Sequence, residues 1–164
     1  MAELLTDHKI SQLLQESKPL PENVLERIRL KSKRGHKEAE LDVAGGEGSS
    51  FRLILRQSSL NPLDFSVILA YQIPQTNVFL RLQRYNGKSH EHTNKLEGVR
   101  FYDFHIHTAT QRYQESGLRE DAFAEPTARY ADFDGALRCL WQDAAFVLPV
   151  GFQPGLAFQW SDET

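Results

Sequence analysis

The residues best suited to chemistry are two His-x-His pairs, His90-Glu91-His92 and His105-Ile106-His107. They hold four of the chain's six histidines within eighteen positions. Imidazole changes charge near neutral pH, and its neutral form is a common ligand of transition ions. Two chemistries follow. As metal ligands, His105 and His107 would project from one face of a strand and grip a single divalent transition ion. Asp103, two residues earlier in the alternation, would be a third ligand or would orient an imidazole, and His90 and His92 would complete the set. As a metal-free pair, His105 and His107 would act as catalytic base and acid on a phosphodiester, such as RNA or a cyclic nucleotide. Arg81, Lys88 or Arg112 would then stabilise phosphate charge, and Tyr85 or Tyr113 would stack on a base.

Neither pair belongs to a longer motif with known mechanics. His90-x-His92 with Glu97 partly matches the first cupin motif, but Gly87 stands too close to His90 and no second motif follows. The two His-x-Ser/Thr motifs of the two-histidine phosphoesterases are also missing, since His107 is followed directly by Thr108 and His105-x-His107 ends in histidine. A third reading needs no catalysis: Arg52, Arg56, Arg81, Tyr85, Lys88, His90, His92 and Arg112 would offer cations and ring faces to RNA, DNA or a nucleotide. Imidazolium facing such an anion would make binding stronger as pH falls from about 7.5 to about 5.5. A fourth is an inhibitor or interaction module for a protein partner.

These residues need elements to hold them. Residues 101–110 alternate as a strand, with Tyr102, Phe104 and Ile106 inward and Asp103, His105 and His107 outward. Upstream, Ala39, Leu41 and Val43 face Phe51, Leu53 and Leu55 across the glycine-rich turn 45–48, a hairpin. Residues 65–71 are apolar on both faces. The next strand sets Val78, Leu80 and Leu82 inward against Phe79, Arg81, Gln83 and Tyr85, and ends at the turn dipeptide Asn86-Gly87. Residues 88–98 read as a polar loop and residues 111–129 as irregular and acidic, with Asp121 in a solvated stretch. Helices are expected over residues 2–16, from Pro21 to about Leu30, and from the cap Asp132 onward, where Phe133, Ala136, Leu137, Leu140 and Trp141 repeat at helical spacing. The basic run 31–34 reads as a solvated linker. The expected architecture is α+β: an antiparallel sheet of about five strands, two N-terminal helices and one C-terminal helix, in one domain over residues 1–150 with a tail over 151–164.

Composition narrows the classes further. The net charge of −3 and 25% charged residues argue against a wholesale basic nucleic-acid binder. The charge is uneven, however: residues 81–113 carry six basic and three acidic side chains, and residues 114–164 carry three and nine. Cys139 is the single cysteine, so no intrachain disulfide forms. No apolar run reaches spanning length, which points away from membranes and towards the cytoplasm.

The run Tyr85 to Asn94, with Phe104-His105-Ile106-His107 and Arg112-Tyr113-Gln114, resembles a family of uncharacterised bacterial and phage-type small proteins. The resemblance implies a bacterial cytoplasmic setting and assigns no activity. Taken together, the residues favour binding of nucleic acid or another phosphate-bearing ligand, with histidine-dependent cleavage of that ligand as the alternative.

Overall fold

A computed structural model describes residues 4–150 of the 164. The expected tail over 151–164 lies outside the described residues. The class is α+β as expected, but among the described residues the main sheet has seven strands and there are four helices.

In chain order the elements are α1 (Asp7–Gln15), β1 (Lys18–Pro19), α2 (Val24–Arg27), β2 (Lys31–Lys33), β3 (His36–Ala44), β4 (Ser50–Ser58), β5 (Phe65–Gln72) and β6 (Phe79–Asn86). There follow β7 (His92–Asn94), β8 (Val99–Phe101), β9 (His105–Thr108), α3 (Gln111–Glu115), β10 (Ala124–Pro126), α4 (Phe133–Asp143) and β11 (Phe146–Val147). The large sheet is ordered β10-β9-β6-β5-β4-β3-β2, with every pairing antiparallel. Two small sheets, β1 with β11 and β7 with β8, lie outside it.

The extra strands come from stretches whose local pattern is weak. The basic run is no linker: Lys31–Lys33 pairs with His36–Glu38 around Gly35, whose φ of 74° suits glycine. The expected second helix shrinks to the single turn α2, and Ile28 and Leu30 still reach the core. The 88–98 loop contains β7, and 111–129 contains α3 and β10. Asn86-Gly87 is not a hairpin turn. Gly87 N–H continues the ladder to Phe65 O at 2.9 Å, and a Cβ there would strike the Leu63 carbonyl.

One face of the sheet is apolar. Ala39, Leu41, Val43, Phe51, Leu53, Leu55, Val67, Leu69 and Tyr71 line up across β3, β4 and β5 and pack into a single core with the α1 and α4 stripes. As read, α4 starts at its Asp132 cap, where Oδ1 accepts from Gly135 N–H at 2.7 Å. No helix among the described residues is long and apolar enough to cross a membrane.

The other face carries Glu38, Glu40, Asp42, Arg52, Arg56 and Arg81, then Arg84, Asn86, His105 and His107 towards β9. A β-bulge sorts these residues. Leu69 opposes Gln83 and Ala70 opposes Arg81, so Leu82 is the extra residue in β6. The bulge interrupts the alternation, and Tyr85 turns onto the helix-covered face as a fully buried residue. Arg84, not Tyr85, then shares a face with the histidines.

Candidate metal centre

His105 and His107 face the polar side as their spacing demands, yet they are 0% and 3% exposed. The sequence leaves that face open to solvent. In the structure the hairpin β7–β8 and the returning 117–122 segment cover this end of it. The expected 101–110 strand is also broken, because β8 pairs with β7 and only β9 joins the main sheet. Asp103 falls in the break, exposed, and supplies a backbone carbonyl to the site rather than its carboxylate.

Strand pairing supplies half of the site. Arg84 opposes His107 and Asn86 opposes His105 across β6 and β9. The hairpin supplies His92, whose ring centroid lies 4.8 Å from that of His107 and 5.3 Å from that of His105. One ligating atom from each of His92, His105 and His107 can be chosen so that all lie within 4.8 Å of one another. Tetrahedral coordination with bonds of about 2.0–2.1 Å places nitrogens about 3.3 Å apart, so small ring movements would close the set on one ion.

Hydrogen bonds decide which nitrogens are free. His105 Nδ1 lies 2.8 Å from Asp103 O, and His107 Nδ1 lies 2.7 Å from Asp121 O. A carbonyl only accepts, so both Nδ1 atoms carry the proton and both Nε2 atoms keep a lone pair. Asn86 agrees: Ser66 Oγ donates to its Oδ1, which turns Nδ2 towards His105 Nε2 at 3.4 Å. His92 is fixed the other way round. Its Nε2 is 2.8 Å from Asn94 Oδ1, which also accepts from Ala124 N–H while Asn94 Nδ2 donates to Ala124 O. The amide orientation is therefore settled, and the His92 lone pair is on Nδ1. Each imidazole has an outer oxygen partner, the usual arrangement around ligating histidines.

The electrostatics keep the His105 and His107 rings neutral. Burial pushes His105 down to about 4, with the other histidines adding to the effect. Burial and then the Arg84 guanidinium push His107 down to about 2. Metal ligation requires the neutral form. Such values do not suit imidazolium facing an anion.

Arg84 and Asp121 adjoin the histidines. The Asp121 carboxylate is fully buried, with Oδ2 at 3.2 Å from Arg84 Nε and Oδ1 at 3.9 Å from Arg119 Nε. These contacts are ionic only: neither carboxylate oxygen nor Arg84 Nε makes a hydrogen bond among the described residues. A cleft of about 560 Å³ runs past Arg84, His90, His92, Lys95, His107, Arg119 and Asp121. His90 is exposed, with its ring 6.0 Å from that of His105 and its Nδ1 3.1 Å from Ser89 Oγ.

The remaining predicted residues lie elsewhere. Arg52 pairs with Asp42 at 2.7 Å and covers the Phe79 ring, and Arg56 lies 3.7 Å from Glu38. Lys88 Nζ sits 5.9 Å above the Tyr102 ring. Arg112 binds Glu97 at 2.7 Å and thereby steadies the hairpin turn, where Tyr113 Oη also donates to Glu97. Tyr85 bonds Asp143 on the helix side. Arg84 and Asp121 were not singled out as partners by the sequence. The signal lay in the pairing of β6 with β9, which no local pattern announces.

In comparisons with known proteins, no family model, no curated protein and no solved structure matched this chain.

Proposed function

We propose that the protein is a metal-dependent hydrolase whose divalent transition ion is held by His92, His105 and His107. The observation that carries this reading is the convergence of three imidazoles, each left with one lone pair by a hydrogen bond that fixes its tautomer. Three neutral nitrogen donors favour an ion of the zinc, copper or nickel kind over magnesium or calcium, which prefer oxygen. Three protein ligands also leave a fourth position, the pattern of catalytic rather than structural zinc. His92 and His107 border the cleft, so that position would open towards it. An ion there would supply a water acidic enough to ionise near neutral pH.

The chain's own groups have separate tasks in this reading. Asp103 O, Asp121 O and Asn94 Oδ1 orient the imidazoles. Burial keeps His105 and His107 unprotonated and ready to ligate. Arg84 supplies positive charge beside His107, where negative charge would build up during attack on an ester. This takes up the expected alternative of histidine-dependent cleavage and assigns it a metal; Asp103 leaves the ligand set, and of the two histidines expected to complete it His92 alone is retained.

Elemental analysis of untagged protein should find about one equivalent of zinc, copper or nickel, and the His105→Ala/His107→Ala variant should hold none. Hydrolysis of bis(p-nitrophenyl) phosphate should stop on chelation and return with the ion. Failure of the wild-type protein to take up any of these ions would end the proposal.

A further inference from the structure

We propose that the cleft seats a phosphate-bearing anion, with Arg84 as its main donor beside the three histidines. This inference rests on the metal reading for its function but on different residues for its geometry.

Arg84 forms part of the cleft wall, and its side chain is 19% exposed. A guanidinium has five N–H donors. Nε makes no hydrogen bond. One Nη lies 3.4 Å from His107 Nδ1, but that nitrogen already donates to Asp121 O and has no lone pair to offer. Apart from the ion pair of Nε with Asp121 Oδ2 at 3.2 Å, the guanidinium has no acceptor among the described residues, so its Nη donors are left without one. Asp121 explains how the charge is tolerated. Fully buried, it balances Arg84 electrostatically through Nε alone and leaves the Nη donors unused. A fork of free donors that opens onto a cleft matches the oxygens of phosphate, which arginine binds two at a time.

The charge balance selects the same class. The charged side chains of the cleft are Arg84, Lys95, Arg119 and Asp121, three cations against one carboxylate. A divalent ion would raise the excess further. A neutral substrate gains nothing from that field, whereas a phosphate ester does. The volume of about 560 Å³ exceeds what a bare phosphate needs and leaves room for an esterified group.

The test uses zinc-loaded full-length protein, with inorganic phosphate and the dinucleotide uridylyl-uridine as probes. Calorimetric titration should show binding that weakens at least tenfold in Arg84→Met, while zinc content stays unchanged. The tighter of the two probes separates free phosphate from a phosphodiester as the source. Because Arg84→Met strands Asp121, a second measurement uses the wild-type chain. Modification of Arg84 by phenylglyoxal, followed by mass spectrometry, should slow severalfold when phosphate is present. Protection that persists in protein unable to take up zinc would remove the metal reading and leave the anion seat standing. Equal phosphate affinity in Arg84→Met, or labelling of Arg84 indifferent to phosphate, overturns the inference even if zinc binds.

Discussion

Two places among the described residues bury charge, and they do so in opposite ways. At the Lys18 site every polar atom is used. Lys18 is fully buried, and its ammonium donates to the carbonyls of Leu13, Leu14, Glu16 and Ala144 at 2.6–3.2 Å. The neighbouring Glu16 carboxylate accepts from Glu47 N–H, Ser49 N–H and Ser49 Oγ, and Gly45 must lack a Cβ to let it in. Burial pulls Lys18 down to about 8, which still leaves it charged at neutral pH. At the Arg84 site the carboxylate is fully enclosed and the guanidinium partly so, but Asp121 and Arg84 Nε make no hydrogen bond. The first arrangement joins α1, β1 and the end of α4 and has nothing left to offer. The second keeps its donors free beside three imidazole lone pairs. A buried charge that is fully bonded marks a structural joint; one that is only balanced is available to a ligand.

Mutation should separate the two. The largest effect is expected at the joint. Lys18→Met should cost about 3–5 kcal/mol of stability, because four carbonyls, three of them in buried contacts, lose their donor. The urea midpoint reads this directly, and a loss under about 1 kcal/mol would erase the contrast.

Next comes metal linkage. With free zinc at about one hundred times its dissociation constant, the wild type should gain about 2.7 kcal/mol, seen as a rise in Tm. His107→Ala should show no such rise, and Lys18→Met should keep whatever rise its folded fraction allows.

Acid comes third and concerns the metal-free protein. His105 titrates at about 4 and His107 at about 2 when folded, and both return to about 6.5 on unfolding. Their contribution to stability is fully present above about 6.5. Below that, the unfolded chain binds protons that the folded one refuses, so stability falls as pH drops towards 4 and then towards 2. Between pH 7 and 5.5 the two rings together should cost about 2.5 kcal/mol. Urea titrations of chelated protein at the two pH values check this, and a His105→Gln/His107→Gln variant should flatten the profile.

The smallest effect sharpens the comparison most. The double variant Arg84→Met/Asp121→Leu should be as stable as the metal-free wild type, or slightly more so, because it removes two charges that lack hydrogen bonds. The same variant should lose phosphate binding. A large loss of stability would show that the pair is a joint after all.

Local pattern carried some of this and missed the rest for identifiable reasons. The hairpin of β3 and β4 forms with the apolar faces read from alternation, and its register sets Leu41 opposite Leu53 and Val43 opposite Phe51. The α4 stripe and its cap likewise stand where spacing puts them. The histidines share a face because two-residue periodicity requires it. Their burial was not legible, since it depends on a cover formed by β7, β8 and residues 117–122, where polar composition resembles that of a solvated loop. The bulge at Leu82 exchanged the places expected for Tyr85 and Arg84. Asp121 reads as one acid in an acidic stretch until the chain returns to meet His107. Lys18 gives no sign at all, since the carbonyls that bind it are backbone.

The margins of the large sheet also bear on how the molecule meets its neighbours. At one margin β2 is a three-residue Lys-Ser-Lys strand, exposed throughout. At the other, β10 is equally short and finishes at Pro126, which has no N–H to give. An incoming strand would meet like charge on one side and a missing donor on the other, so growth of the sheet by strand addition, into fibrils or onto a partner's edge, is opposed at both ends.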